Sequence, residues 1–192
     1  CSSLTEIKIP SSVKKIGDYA FNQCKSLKKI EIPSSVTSFG KNIFRGIYSI
    51  KIIGDINFIA QQIFKYCESL KSIYLPPSIA SFDDHSFAGC LSLDTITIPP
   101  SVTSIPPYCF FKCNSLTKIE FPSSLITIGD YAFSKCQSLT KIELPSLLKT
   151  IGNYAFSECN NLCKINIPPN ITSISERIFS QCKSLKKIFI PH

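Results

Sequence analysis

Few residues in this chain have types and spacings that could do chemistry. Ten cysteines stand beside two histidines, His85 and His192, and 13 carboxylates. The pairs Cys109/Cys113 and Cys159/Cys163 look like halves of a metal site. Structural zinc asks for four tetrahedral donors, and neither pair has a histidine or a second cysteine pair beside it. His85 follows Asp83 and Asp84, which offers a carboxylate–imidazole contact. General acid/base work would also need a reacting group arranged with them, and the sequence supplies none. No phosphate-cradling glycine loop, dinucleotide fingerprint or zinc-protease motif is present. The chain therefore reads as a non-enzyme that holds no metal and no cofactor.

The cysteines instead keep time. They fall at Cys1, Cys24, Cys67, Cys90, Cys113, Cys136, Cys159 and Cys182, in steps of 23 residues from Cys67 onward and from Cys1 to Cys24. Prolines mark the same beat from Pro10 and Pro33 to Pro168 and Pro191, and phenylalanines from Phe21 and Phe44 to Phe156 and Phe179. The unit is C-x2-L-x2-I-x-I-P-x2-V-x2-I-G-x2-A-F. A fixed period of this length is the mark of a solenoid. One unit, near residues 44–66, has 20 residues: Phe44-Arg45-Gly46-Ile47 has lost three residues and a ladder cysteine. The loss falls in a turn, where a coil absorbs it best. No linker interrupts the pattern, so residues 1–192 form a single array. Cys1 enters in mid-pattern, and the array is expected to continue past both ends.

Each position then has a task. Nine strand segments begin at Leu4, Leu27, Ile47, Leu70, Leu93, Leu116, Leu139, Leu162 and Leu185. Their alternation turns pairs such as Ile30 and Ile32 inward, as a half-buried strand requires. Proline follows because it cannot donate to a ladder. Gly17, Gly40, Gly129 and Gly152 suit a bend before a short helical or 3₁₀ turn, which the phenylalanine anchors. The ladder cysteines suit buried free thiols that donate weakly to backbone carbonyls. Rung spacing alone would also allow a disulfide, but the parallel Cβ directions speak against one. Cys109 takes the buried alanine slot, and Cys163 an exposed position.

The unit resembles the leucine-rich repeats of BspA-like surface proteins, which occur in oral anaerobic bacteria and spirochaetes and in large families in Trichomonas and Entamoeba. The likeness runs through Leu27-Ile32-Pro33-Val36, Leu116–Pro122, Leu139–Pro145, Gly129–Phe133 and Gly152–Phe156. Departures are the short unit, Pro106-Pro107 at the glycine bend, and Ile63 and Ile178 in the alanine slot. The resemblance implies an α/β-type leucine-rich repeat solenoid of about nine stacked rungs. It would carry a short-stranded parallel sheet on one side, with loops and short 3₁₀ or helical turns on the other. It also implies protein binding or adhesion, at a cell surface or in a secreted protein. An intracellular scaffold or regulatory subunit in the cytoplasm is the alternative.

Function in such a coil lies on the outward side chains of the strands. One column runs Glu6, Lys29, Ser49, Ser72, Thr95, Lys118, Lys141, Lys164, Lys187, and the other Lys8, Glu31, Lys51, Tyr74, Thr97, Glu120, Glu143, Asn166, Phe189. Lys118, Lys141, Lys164 and Lys187, with Glu120 and Glu143, read either as a solvated face or as a site for an acidic or glycosylated protein. Ser72, Tyr74, Thr95 and Thr97 add an almost uncharged contact area. Tyr19, Tyr108, Tyr131 and Tyr154, with Asn42, Gln62, His85 and Arg177 between, form a second series, read as packing against neighbouring coils rather than as recognition.

Composition removes other partners. The net charge is +8, but only Arg45 and Arg177 are arginines among 21 basic residues, and carboxylates are interspersed. Nucleic-acid readout favours arginine, so no nucleic-acid partner is expected. No apolar run approaches the roughly 20 residues needed to span a bilayer. With 44% hydrophobic residues the chain can build a core. Uncapped ends would expose apolar faces and invite end-to-end self-association.

Overall fold

A computed structural model describes residues 1–60 and 63–190. Gln62 of the tyrosine series, Pro191 of the proline beat and His192 lie outside the described residues. The alternating isoleucines become strands, and most turns contribute two. In chain order these are β1 (Glu6–Lys8) and β2 (Lys15–Ile16), β3 (Lys29–Glu31) and β4 (Ser38–Phe39), β5 (Ser49–Ile53) and β6 (Phe58–Ile59), and β7 (Ser72–Tyr74) and β8 (Ser81–Phe82). There follow β9 (Thr95–Thr97) and β10 (Ser104–Ile105), β11 (Lys118–Glu120) and β12 (Thr127–Ile128), β13 (Lys141–Ile142) and β14 (Thr150–Ile151), then β15 (Lys164–Asn166) and β16 (Lys187–Phe189).

Among the described residues, the nine expected strands line one face. They form two parallel ladders, β1-β3-β5-β7-β9-β11 and β13-β15-β16. The shorter strands, which the sequence reading had not separated from the return path, make β2-β4, β6-β8 and β10-β12-β14 on a second side.

The back of the coil corrects one expectation. The 3₁₀ or helical turns are absent among the described residues, and a chain of tight turns takes their place. The architecture is therefore an all-β leucine-rich solenoid, not an α/β one. Two left-handed residues in most of the described turns forbid the helix. One lies in the tyrosine series, at Tyr108 (φ 56°) and Tyr131 (φ 54°), and the other just before the ladder cysteine, at Lys112 (φ 59°) and Lys135 (φ 66°). A right-handed helix needs φ near −63° throughout. Stacking supplies the alternative bonds. The N–H groups of Tyr108, Phe110 and Lys112 donate to the next turn's Asp130, Ala132 and Ser134 carbonyls at 2.9, 2.8 and 2.9 Å. The N–H groups between them close local turns, as Phe111 does to Tyr108 at 3.1 Å. Every second donor is thus taken by a neighbouring rung.

Phenylalanine fills the coil as expected. Rings from Phe21 to Phe179 stack face to face, with Phe44–Phe64 at 5.1 Å and Phe156–Phe179 at 6.1 Å. Offset stacking of this kind adds to the burial energy of each ring. The ladder thiols donate to the phenylalanine carbonyls of the preceding turn: Cys113 Sγ to Phe87 at 3.3 Å, Cys136 to Phe110 at 3.2 Å and Cys159 to Phe133 at 3.2 Å. Each thiol satisfies a carbonyl that faces the core, which accounts for its recurrence. Cys109 is buried and Cys163 exposed, as read from the sequence.

Two details refine the sequence reading. Gly129 and Gly152 stand at the bend as expected, but are not among the positive-φ residues. They allow close approach instead: a Cβ on Gly129 would lie 2.7 Å from the Pro107 nitrogen. The short unit is absorbed partly in the sheet. Phe44 and Phe64 keep the core pitch, but β5 is longer than its neighbours and staggered. It pairs Lys51 with Lys29 on one side and Ser49 with Ser72 on the other. Lys29 therefore lies beside Lys51 rather than Ser49. A two-residue stagger preserves which face each side chain takes.

Candidate protein-binding face

The outward positions of six successive strands bring the candidate residues together. Ser72, Tyr74, Thr95, Thr97, Lys118, Glu120, Lys141, Glu143, Lys164 and Lys187 are all exposed on the main-strand face. At the quiet end, Ser72 pairs in register with Thr95 and shares a 2.9 Å hydrogen bond with Ser49. Tyr74 is 51% exposed, with the Lys51 ammonium 4.9 Å from its ring centroid. That area is flat, neutral and partly aromatic.

The charged end divides into two parts. Lys118 Nζ lies 2.6 Å from Glu120 Oε1 and Lys141 Nζ 2.5 Å from Glu143 Oε1, each pair on a single strand segment. Glu120 also accepts from the Thr97 hydroxyl at 3.1 Å. The bond from Lys118, then that from Thr97, holds the Glu120 carboxyl below its usual pKa. The bond from Lys141 does the same for Glu143. Lys164 and Lys187 sit beside one another in register and make no ion pair among the described residues. The lysine strip is thus two self-neutralised rungs followed by two lysines that lack a close carboxylate among the described residues.

Between β11 and β13 the main ladder is interrupted. Before the break the Thr117 N–H donates to the Asp94 carbonyl at 2.9 Å, and after it the Cys163 N–H donates to Thr140 at 3.3 Å. The matching bond from Thr140 to Thr117 is not made. The back of the same two rungs stays joined. Thr127 and Thr150 pair in register, and Phe133 stacks on Phe156 at 5.4 Å. The interruption is therefore a wedge on the strand face, a cleft of about 850 Å³ with Phe121 and Leu144 half-buried in its walls.

Two sequence features distinguish these rungs. Both segments read Lys-Ile-Glu, so pairing in register would set Lys118 beside Lys141 and Glu120 beside Glu143. Like charges directly opposite destabilise a ladder. Phe121 also replaces the aliphatic residue of the other turns and meets Phe133 edge-on at 5.7 Å. The sequence reading had noted the lysine column but not the cleft; the repeated Lys-Ile-Glu next to Phe121 was the available signal.

The tyrosine series lies elsewhere and packs as expected. His85, Tyr108, Tyr131 and Tyr154 stack in parallel at 4.8 Å steps, and the Arg177 guanidinium covers the last ring at 5.8 Å. The His85 Nδ1 is buried without a hydrogen-bond partner. Burial first, then Lys65, pushes its pKa down, while Asp84 opposes them. The ring serves as a stacking element. Among the described residues no group of three or more His, Cys, Asp or Glu could hold a metal ion, and no helix is long and apolar enough to cross a membrane.

The BspA type leucine rich repeat region matches residues 1–115 and 103–192, in six copies. A leucine-rich repeat protein from Bacteroides ovatus is 34% identical over 99% of the chain, with a TM-score of 0.66. The chain spans 56% of that protein's length. A leucine rich cell surface protein from Faecalibacterium prausnitzii shares the fold at 21% identity and TM-score 0.54, covering 98% of this chain and 88% of its own. The pneumococcal vaccine antigen PcpA shares it at 23% identity and TM-score 0.62, covering 97% of this chain and 56% of its own. None of the curated proteins matches the chain.

Proposed function

This chain belongs to the BspA-type leucine-rich repeat family, and from that premise we propose a non-enzymatic protein-interaction module that works in adhesion, at a cell surface, toward a host or matrix protein. Leucine-rich repeat solenoids present broad surfaces to other proteins. The observation that carries the reading is the face itself. Ten exposed side chains stand on six successive strands that are backed by a core of isoleucine and stacked phenylalanine. The surface location rests on the family resemblance and on the company of folds that includes a cell surface protein and a vaccine antigen.

A rigid face ending in Lys164 and Lys187, which make no ion pair among the described residues, suits an acidic or glycosylated protein surface, with attraction that weakens as salt rises. The test is a binding screen of the 192-residue chain against extracellular matrix proteins and surface glycoproteins over a salt series. The variant carries Lys118→Glu, Lys141→Glu and Lys164→Glu together. At least a tenfold loss of affinity with unchanged thermal unfolding supports the strip. Unaltered affinity removes it from the site. Capture of cytosolic proteins alone would favour an intracellular scaffold.

A further inference from the structure

The chain carries one segment twice. Cys24-Lys25-Ser26-Leu27-Lys28-Lys29-Ile30 and Cys182-Lys183-Ser184-Leu185-Lys186-Lys187-Ile188 are identical, and each runs into a strand of the main face, β3 or β16. The two copies have different surroundings. β3 lies in register with β1, so Lys29 stands opposite Glu6 and Glu31 opposite Lys8. Lys29 Nζ is 3.7 Å from Glu6, and Lys8 Nζ 3.0 Å from Glu31. β16 lies in register with β15, so Lys187 stands opposite Lys164 and Phe189 opposite Asn166. A lysine and a phenylalanine hold the places that the two glutamates have at the first copy.

The rest of this end shares the imbalance. From Cys159 onward the one acidic side chain is Glu176, against Lys164, Arg177, Lys183, Lys186 and Lys187. Glu176 lies 3.5 Å from the Arg177 guanidinium, beside the tyrosine series. Lys164, Lys183, Lys186 and Lys187 are all exposed. Stacking holds the last three over the turn that carries Lys164. The Ser184 N–H donates to the Asn160 carbonyl at 3.1 Å, and the Lys186 N–H to Cys163 at 2.9 Å. Among the described residues none of these four ammonium groups has a carboxylate within ion-pair distance. Their charges therefore add to one local positive field.

We infer that this lysine cluster is a binding site for a linear sulfated polysaccharide. It is a second ligand class beside the protein partner, and it does not depend on that reading. Two rungs lie about 5 Å apart, so the cluster is a narrow strip. Each side of a specific protein interface buries about 800 Å² around a centre depleted in charge, which this strip does not offer. A thin chain that carries sulfates along its length needs neither the area nor an apolar centre. Each ammonium meets a sulfate, and the exposed Asn166 amide between the lysines and the next column can meet a sugar hydroxyl. Short lysine-rich segments of this kind are the sequence form of heparin-type patches. Nucleic acid would supply charge too, but the strip holds no arginine to read bases. The first copy of the segment is the internal control, with the same residues beside Glu6 and Glu31.

Calorimetry of the 192-residue chain with a heparin hexasaccharide should show saturable binding that weakens as salt rises. The same hexasaccharide stripped of sulfate should not bind. Two variants separate position from net charge, since each removes three lysines. One carries Lys183→Gln, Lys186→Gln and Lys187→Gln, and the other Lys25→Gln, Lys28→Gln and Lys29→Gln. The first should lose at least tenfold in affinity and the second less than about twofold, with circular dichroism confirming both folds. Bound heparin should also shield Lys164, Lys183, Lys186 and Lys187 from chemical acetylation in the parent chain. No binding, equal losses in the two variants, or shielding centred on other lysines overturns the inference. So does equal binding of the desulfated chain, of polyglutamate or of duplex DNA. Failure here leaves the matrix-protein screen standing, and failure of that screen leaves the heparin result standing.

Discussion

Lys118 directs its ammonium to Glu120, two residues along its own strand at 2.6 Å, and not to the neighbouring rung. The same choice at Lys141 and Glu143 leaves two strand edges unpaired. Reversing one wall should close them. The variant Lys141→Glu with Glu143→Lys sets Glu-Ile-Lys against Lys-Ile-Glu, as in β1 and β3. Each favourable cross-strand pair contributes about 0.2–1 kcal/mol, so two such pairs should raise the melting temperature by about 1–8 °C. The Thr140 amide should become protected from exchange. An unchanged melting curve with Thr140 still exchanging freely would show that Phe121, not charge, holds the ladder open.

The phenylalanine column should behave as a graded core. Phe110 and Phe133 are fully buried, whereas Phe179 on the last turn is only partly covered. Truncation of Phe110 or Phe133 to alanine should cost about 3–5 kcal/mol, measured by denaturant unfolding. Phe179→Ala should cost clearly less, and equal losses would contradict the stacking gradient.

The ladder thiols give a pH signature. Burial lifts the Cys136 pKa from 9.0 to about 12 and raises Cys113 and Cys159 as well. A folded-state pKa above the unfolded one adds stability that is complete below the unfolded value and is lost as pH rises toward the folded one. Stability should therefore hold up to about pH 9 and fall between about pH 9 and 12. A Cys136→Ala variant should show a shallower fall. At pH 8 a thiol reagent should label Cys1 and Cys163, the exposed pair, and reach the buried thiols only on unfolding. Rapid labelling of Cys136 in the native state would refute the buried ladder.

Glycines at equivalent positions should differ. A Cβ on Gly17 meets nothing within 4 Å, but one on Gly129 lies 2.7 Å from the Pro107 nitrogen. Gly17→Ala should be neutral or stabilise by about 0.4–1 kcal/mol through the unfolded chain. Gly129→Ala should destabilise, since backbone must move. Thermal unfolding of the two variants separates a requirement for close approach from one for conformational freedom.

Ile188 and Phe189 of β16, with Ile190 just after it, are 44, 52 and 62% exposed. Open apolar strand edges invite pairing with another chain. Light scattering of the 192-residue chain should show mass rising with concentration, and Phe189→Glu should suppress the rise. A constant monomer mass for the parent chain would remove end-to-end association.

The sequence by itself determined what repeats. The 23-residue spacing of Cys, Pro and Phe requires like residues to stack, so the strand face, the phenylalanine filling, the thiol ladder and the packing role of the tyrosine series were all legible. Periodicity is a statement about one turn. What the tertiary structure decided depends on how one turn meets the next. The helical turns gave way because alternate N–H groups at Tyr108, Phe110 and Lys112 are taken by the neighbouring coil, which local propensity does not include. Lys51 came to lie beside Lys29 because the core kept its pitch through the short unit and the sheet took up the difference. The cleft opened where two Lys-Ile-Glu rungs meet beside Phe121, a meeting that exists only once the stacking of turns has put Lys118 opposite Lys141.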